Sequence, residues 1–347
     1  MKVSKLNSIS LLTAVMAVLF FSATAMSQWQ KQTVETTASF RGLSVVSDQI
    51  IWASGTGGTV VKTIDGGKTW KVIKVPEAEK LDFRDIEAFD AKIAYVVSIG
   101  EGESSRIYKT IDGGETWKLQ FQNKEPKAFF DAIAFWDKNN GIAMSDPVNG
   151  YFYLFGTRDG GETWNKLDTE KMIPAKDGEA AFAASGTCII TQGKKNVFLV
   201  SGGKQARVFR SNNQGSSWSV AESPIIKGEA SQGIFGIAMF DAKNGIIVGG
   251  DYAKPTETVA NLAFTKDGGK TWIESKGFSG YRSGVAYINK KMIIAVGSSG
   301  SDISKDGGKT WNSLDKENYN SVQAKDKTAI WAVGEKGRIS KLKILNN

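Results

Sequence analysis

An eight-residue pattern occurs six times in the chain, and it restricts the fold more than any other feature of the sequence. Each copy begins with Ser or Thr, has Asp or Asn two residues later, continues through Gly and ends on Trp. The copies are TIDGGKTW (63–70), TIDGGETW (110–117), TRDGGETW (157–164), SNNQGSSW (211–218), TKDGGKTW (265–272) and SKDGGKTW (304–311). Their spacing of 39–54 residues, with short apolar runs and Gly/Asp turns between them, is typical of β-propeller blades. The repeat therefore predicts an all-β propeller.

Three copies contain Gly-Lys-Thr, which resembles the end of a phosphate-binding loop. Such a loop needs another glycine five residues earlier, so that successive backbone N–H groups surround the phosphate. The residues at that position are Lys62, Phe264 and Ile303. The octet is therefore a repeated structural device and not a nucleotide site.

A second recurring feature sets the number of blades at seven. A short apolar run ending in small residues precedes every octet, and a further copy, AIWAVGEKG, lies near the C-terminus without an octet after it. The segment QWQKQTV (28–34) resembles the strands that follow each octet turn, which makes Trp29 the seventh tryptophan. We expect this N-terminal strand to complete the last blade and leave no long edge unpaired.

We expect each repeated unit to form four strands, with the octet forming the turn between the third and the fourth strand. In the first unit these are residues 40–47, 50–54, 59–63 and 69–75. The octet Asp accepts hydrogen bonds from turn N–H groups, a Gly takes a positive φ, and the Trp packs on neighbouring strands. We assign these structural roles to Asp65, Asp112, Asp159, Asn213, Asp267 and Asp306, and to Trp70, Trp117, Trp164, Trp218, Trp272 and Trp311. Since a catalytic carboxylate would not tolerate the change to Asn213, the octets are not expected to be catalytic.

The composition excludes much of ordinary hydrolase chemistry. There is no histidine among 347 residues, so Ser-His-Asp and Cys-His systems and histidine-ligated zinc are impossible. The single cysteine, Cys188, rules out an intramolecular disulfide and lies among apolar neighbours typical of a buried, inert thiol. We expect neither a cofactor nor a metal site.

The N-terminus predicts export. Lys2 and Lys5 precede an apolar run (9–21) and the small residues SATAMSQ, which together match a signal peptide over residues 1–27. The alternative is an uncleaved membrane anchor, although the run is short for a bilayer span. A single propeller domain (28–347), periplasmic or secreted and monomeric, would remain. Its net charge falls from +8 to +6 without the leader, which favours acidic partners. The basic residues are too dispersed for nucleic-acid binding.

The octets match the Asp box, S/T-x-D-x-G-x-T/S-W, shared by sialidases, sortilin-type receptors and a group of seven-bladed propellers known as photosystem II stability or assembly factors. Seven units, an export signal and the GGKTW form resemble the assembly factors most, over nearly the whole mature chain. The resemblance implies a non-enzymatic scaffold that binds precursor membrane proteins and presents an arginine-rich patch. The box itself indicates fold rather than activity.

Loop lengths predict which face of the propeller binds a partner. Turns on the octet side are short and uniform, whereas the opposite side carries long, variable connections such as residues 249–261, which include Tyr252. The inner strands also begin on that side, at segments such as 40–43, 83–86, 130–133 and 282–285. We expect this to bring Arg41, Arg84 and Arg282 together at the channel mouth with Asp131 and Asp146, as a site for an acidic peptide end or another anion. The alternative is that Arg41 and Arg84 pair with Asp85, Asp131 or Glu87 in a purely structural network.

Two other functions remain open. Residues 40–43 (FRGL) are similar to the Phe-Arg-Ile-Pro segment of sialidases without its proline, and a glycosidase would draw on Arg41, Arg84, Arg282, Tyr281, Asp131 and Asp146. A carbohydrate-binding propeller would instead stack sugars on Tyr151, Tyr153 or Tyr252. The three functions differ in whether acidic and tyrosine side chains converge with the arginines at the channel mouth.

Overall fold

The computed structural model describes residues 28–344, so the proposed signal peptide lies outside the described residues. These residues form thirty β-strands and one short 3₁₀ helix, Gly102–Ser104. No helix in residues 28–344 has the length and apolar character needed to cross a bilayer. The chain is all-β, as the sequence predicts.

The strands form seven antiparallel sheets, which are the blades of a seven-bladed propeller. From the inner to the outer edge, the strands of blade one are Phe40–Val45, Ile51–Gly55, Thr59–Thr63 and Lys71–Lys74. Those of blade two are Phe83–Ala88, Ala94–Ser98, Arg106–Thr110 and Lys118–Gln122. Those of blade three are Phe130–Phe135, Gly141–Val148, Tyr151–Thr157 and Asn165–Lys166. Those of blade four are Ile189–Gln192, Asn196–Val200, Arg207–Ser211 and Ser219–Glu222. Those of blade five are Gln232–Met239, Gly245–Asp251, Leu262–Thr265 and Ile273–Glu274. Those of blade six are Gly284–Tyr287, Ile293–Gly297, Gly300–Ser304 and Asn312–Asp315. Two short strands, Glu179–Ala180 and Gly202–Gly203, extend the sheet of blade five.

Blade seven closes the ring with the N-terminal strand. Its sheet joins Ser321–Ala324, Ile330–Val333 and Ile339–Lys343 to Gln28–Lys31. Trp29 lies opposite Leu342 in the register, its indole N–H donates to Ser301 Oγ at 2.9 Å, and its ring packs 5.1 Å from that of Tyr319. The predicted closure by Trp29 is confirmed.

The octet turns share one hydrogen-bond pattern. In the second copy, Asp112 Oδ1 accepts from the Thr116 N–H at 2.9 Å and from Thr110 Oγ1 at 2.8 Å, and Oδ2 accepts from Thr116 Oγ1 at 2.6 Å. Gly114 has a φ of +86°, a conformation that glycine adopts at little cost. In the fourth copy Asn213 keeps two of these bonds through Oδ1 and donates from Nδ2 to Ser217 Oγ at 2.9 Å. The same turn therefore forms without a carboxylate.

The core lies between the blades. The second strands are the most deeply buried elements; every residue of Ile51–Gly55, Ala94–Ser98 and Ile293–Gly297 is buried. Neighbouring blades share apolar clusters, because each sheet packs face to face on the next. This arrangement holds the starts of all seven inner strands around one central channel.

Candidate functional site at the channel mouth

Four of the inner strands contain a one-residue β-bulge near their start. The unpaired residues at these bulges are Arg41, Arg84, Asp131 and Phe235. A bulge interrupts the in-and-out alternation of a strand and redirects one side chain. All four side chains line a single cavity of about 440 Å³ at the channel mouth. The structure therefore brings Arg41, Arg84 and Asp131 together by a local backbone device.

A segment of seven residues, 181–187, crosses the channel below this cavity; we call it the channel segment. Arg41 Nη1 donates to the carbonyl of Ala184 at 3.1 Å, and Arg84 Nη1 donates to that of Ala183 at 3.2 Å. Ala181 to Ala184 line the cavity. The two arginines of blades one and two are thus held against a segment that leads into blade four.

The channel segment also contacts the far side of the ring. Ser185 Oγ donates to the carbonyl of Ser283 at 2.8 Å, and Ser321 Oγ donates to the carbonyl of Ser185 at 3.0 Å. Gly186 lies so close to Asp85 that a Cβ there would be 2.2 Å from the Asp85 carboxylate. Small residues are required where the segment crosses the axis. Sequence reasoning missed this role; the run AFAASGT before a shortened inner strand is the signal that was available.

The two arginines differ in how their charge is balanced. Arg84 forms an ion pair with Asp82, with Nε 2.8 Å from Oδ2. Partly exposed Arg41 forms no salt bridge with any residue in 28–344, and burial together with the charge of Arg84 lowers its pKa from an already very high value. Arg41 therefore presents a charged guanidinium with unused donors to the cavity.

The structural network expected as an alternative does not form with the predicted partners. Asp85 uses both carboxylate oxygens on backbone N–H groups, those of Ile86 at 2.8 Å and Ile133 at 2.9 Å. Its pKa is raised to about 7 because it is buried. The ion pair of Arg84 is made with Asp82, a residue that sequence reasoning did not consider.

Arg282 is not part of the cluster. Its side chain is fully buried, forms an ion pair with Asp302 and is further held by Ser279 and Ser299. It precedes the inner strand Gly284–Tyr287, whose register contains no bulge that would turn it toward the channel. The expectation that Arg282 joins Arg41 and Arg84 is corrected: it stabilises blade six.

The two acidic residues expected at the mouth have different environments. Asp131 is 1% exposed and lines the cavity, and neither of its carboxylate oxygens has a hydrogen-bond partner in residues 28–344. Burial, and then the charge of Asp146, raise the pKa of Asp131. Asp146 lies behind the cavity wall, where its Oδ1 accepts from the Ala181 N–H at 2.7 Å; burial raises its pKa to about 6. Asp131 therefore places a buried carboxyl group without a hydrogen-bond partner in residues 28–344 at the cavity, and Asp146 anchors the channel segment.

An aromatic wall faces the arginines. Phe182 stacks on Phe235 with ring centroids 3.9 Å apart, and Phe235 makes edge contacts with Tyr281 at 4.8 Å and Tyr252 at 6.0 Å. Tyr252 is 51% exposed and lines the cavity, so the long loop 249–261 reaches the mouth. Burial raises the pKa of Tyr281 more than nearby Arg41 lowers it, so its phenol stays protonated.

Two tyrosines considered for sugar binding lie outside the cavity, and one residue of the cavity was not predicted. Tyr151 and Tyr153 do not line the cavity, and Tyr153 packs on Phe155 at 5.0 Å. Phe235 was missed, although Ile234-Phe235-Gly236 matches Phe40-Arg41-Gly42 position by position. Cys188 is buried, and burial raises the pKa of its thiol. Within residues 28–344 no group of three or more Asp, Glu, His or Cys side chains is placed to hold a metal ion.

The fold and this site define the class: a seven-bladed β-propeller with a charged and aromatic cavity at one mouth of its channel. No protein-family model and no curated protein matches the chain. Among solved structures, "YCF48 bound to D1 peptide" matches with a TM-score of 0.68 and 16% identity, over 93% of this chain and 99% of that one.

Two further solved structures have the same architecture. YCF48 from Cyanidioschyzon merolae matches with a TM-score of 0.67 and 18% identity, over 91% of this chain and 99% of that one. U3-55K matches with a TM-score of 0.62 and 12% identity, over 91% of this chain and 98% of that one. The resemblance to photosystem II assembly factors that the sequence indicates is thus confirmed in the fold.

Proposed function

We propose that the protein is an exported, non-enzymatic scaffold that binds an anionic segment of a partner protein at the channel mouth. The observation that carries the proposal is the guanidinium of Arg41, which has no carboxylate partner in residues 28–344 and shares one cavity with an aromatic wall. A structure of YCF48, similar in fold, is described as bound to D1 peptide. This favours a peptide as the ligand class.

The cavity offers complementary contacts for the end of a peptide. Arg41 can bind a terminal or side-chain carboxylate with charge-assisted hydrogen bonds, while Arg84, neutralised by Asp82, fixes the channel segment below it. The apolar side chains of Phe235 and Tyr252 can receive a neighbouring apolar side chain. The unpartnered carboxyl group of Asp131 lies in the same cavity, within the surface that a peptide end would contact. Specificity then comes from an acidic group next to an apolar one.

The proposal also includes the export of this protein and a partner that is a membrane protein. Residues 1–27 would direct the chain across a membrane and be removed, leaving a monomeric propeller in the periplasm or outside the cell. There it would meet the exposed segment of a precursor membrane protein. The positive net charge of the mature chain favours such an acidic partner.

Capture from membrane extracts tests the proposal. Mature wild-type protein, Arg41→Ala and the matched control Arg158→Ala, an exposed arginine whose guanidinium lies over the Trp136 ring, are immobilised and incubated with detergent extracts of the source cells. We expect one specific membrane or secreted protein to be retained by the wild type and the control and lost with Arg41→Ala. Equal retention by all three forms would contradict a site at the mouth.

A sialidase-like glycoside hydrolase is the second candidate. It is favoured by one observation: Tyr281 and Asp131 line the same cavity as Arg41 and Arg84. Against it, Arg282 is sequestered by Asp302, and the raised pKa of Tyr281 makes its phenol a poor nucleophile. A chromogenic sialoside and a panel of other aryl glycosides, assayed with wild-type protein and Tyr281→Phe, decide between the two. Turnover that Tyr281→Phe abolishes would establish the hydrolase.

A further inference from the structure

A basic side chain bridges neighbouring blades at three of the blade interfaces. It stands at the last position before an octet and crosses to the carbonyl of the first glycine in the octet of the next blade. These bonds are Lys62 Nζ to Gly113 O at 2.7 Å, Lys109 Nζ to Gly160 O at 2.7 Å and Arg210 Nη1 to Gly268 O at 2.8 Å. Each bridge covers the gap between two blades on the octet face.

In blade five the bridging position is Phe264, which has no donor. Its ring instead packs on the octet of blade six, where a Cβ on Gly308 would be 2.2 Å from the ring. The gap between blades five and six forms a groove of about 610 Å³, compared with about 330 Å³ between blades four and five, where Arg210 crosses. Replacement of the bridge by Phe264 therefore coincides with an open groove, which we call the blade 5/6 groove.

The floor and walls of the blade 5/6 groove are apolar. Phe240, Phe264, Ile273 and Tyr287 line it. Phe240 is 38% exposed and Ile273 is 69% exposed, so the groove presents two exposed large apolar side chains in one contiguous patch. The outer strand of this blade, Ile273–Glu274, is only two residues long, so it covers little of the groove.

The rim of the blade 5/6 groove is strongly basic. It carries four lysines, none of which forms a salt bridge within residues 28–344: Lys266, Lys290, Lys291 and Lys309. Only two carboxylates line the groove, and that of Asp306 is occupied by its own turn, where Thr310 Oγ1 donates to it at 2.6 Å. An apolar slot with a basic rim complements an apolar side chain flanked by acidic residues.

We infer that the blade 5/6 groove is a second docking site, for an acidic segment of a partner protein that inserts an aromatic or large aliphatic side chain between the blades. Lys291 and Gly307 are joined by a backbone hydrogen bond of 2.7 Å on the octet face, so the groove lies opposite the channel mouth. A second copy of this basic chain would bring further positive charge to the lysines. A flat membrane surface would meet the lysines without reaching recessed Phe264.

Fluorescence anisotropy with a labelled peptide of sequence EDEFEDE tests the inference. Phe264→Lys introduces the bridge found at three other interfaces and fills the groove, and Lys290→Glu/Lys291→Glu reverses the charge of the rim. We expect saturable binding to the wild type that each variant weakens by about tenfold or more. Lys325→Glu/Lys327→Glu, in the corresponding exposed turn of blade seven, is the matched control and should bind like the wild type.

Several results would overturn the inference. One is that the wild type does not bind EDEFEDE, and another is that all variants bind it equally. A third is that the wild type binds the peptide EDESEDE as tightly as EDEFEDE, which would show attraction of charge alone. Flotation with phosphatidylserine vesicles that depends on the four lysines, without peptide binding, would assign the groove to lipid. A concentration-dependent dimer lost in Phe264→Lys would assign it to a second copy. Arg41→Ala leaves this binding unchanged, so failure here is distinguishable from failure of the channel-mouth site.

Discussion

At the scale of single residues, β-bulges place the candidate site. Arg41, Arg84 and Asp131 were predicted at the channel mouth from aligned strand starts, and the structure brings these three together because each is the extra residue of a bulge. Arg282 instead occupies the position of Phe40 and Phe83 in the aligned strand starts, and it has Asp302 as a buried partner. The pairing of Arg282, at the start of the inner strand, with Asp302 on the third strand of the same blade depends on packing that no local pattern reveals.

Asp131 gives a test of the electrostatics at the mouth. Carboxyl groups whose folded pKa is raised stabilise the fold while protonated, and this contribution is lost as the pH rises from their ordinary pKa through the raised values, about 6 for Asp146 and about 7 for Asp85. We therefore expect the melting temperature of the wild type to fall between about pH 4 and pH 7.

Asp131→Asn should make this decline smaller, because it removes a buried acid with a raised pKa and no hydrogen-bond partner. At pH 8 we expect Asp131→Asn to melt at a higher temperature than the wild type, by about 2 °C for each kcal/mol of stability gained. Differential scanning fluorimetry across the pH range measures it. Asp48→Asn, an exposed turn residue, is the control, and a parallel pH profile for Asp131→Asn and the wild type would refute the assignment.

At the scale of elements, the octet turn is the unit that the sequence predicts best and the channel segment the one it predicts worst. The octet has its own hydrogen bonds within eight residues, so its structure follows from local sequence. The channel segment is held by residues of the six other blades, such as Arg41 and Ser321, and has no periodic pattern of its own. Its course was therefore not predictable from local sequence.

Substitutions in the fifth octet test whether the turn needs a carboxylate. Asp267 accepts hydrogen bonds from Thr265 Oγ1, Thr271 N–H and Thr271 Oγ1 at 2.6–3.0 Å. We expect Asp267→Ala to lower the melting temperature by about 2–4 °C, since these bonds are lost. Asp267→Asn should stay close to the wild type, because Asn213 already forms the same turn. Equal losses for both variants, measured by scanning calorimetry, would contradict this interpretation.

At the scale of the whole molecule, the ring is closed by pairing of its two ends. The number of blades and the closing strand follow from counting repeats, and both are confirmed. Closure matters because an open blade seven would expose the edge of Ile339–Lys343 to other chains. The same rigid ring holds the channel mouth and the blade 5/6 groove on opposite faces.

Removing the closing strand tests this account. A chain that starts at residue 34 loses the pairing of Gln28–Lys31 and the packing of Trp29 on Tyr319. We expect its melting temperature to fall by roughly 5 °C or more and a concentration-dependent oligomer to appear on size exclusion. A chain that starts at Gln28 is the control and should remain a monomer. An unchanged melting temperature for the shorter chain would show that closure contributes little to stability.

The most direct measurement is retention of peptides by the channel mouth. A hexapeptide library with free terminal carboxylates, and the same library with amidated ends, is equilibrated with wild-type protein, Arg41→Ala and Arg158→Ala, and the bound peptides are quantified by mass spectrometry. We predict enrichment of free-acid peptides with an apolar residue near the end by the wild type and Arg158→Ala, at least about tenfold weaker with Arg41→Ala. Equal retention of both libraries by all three proteins would contradict an anion-binding role for the mouth.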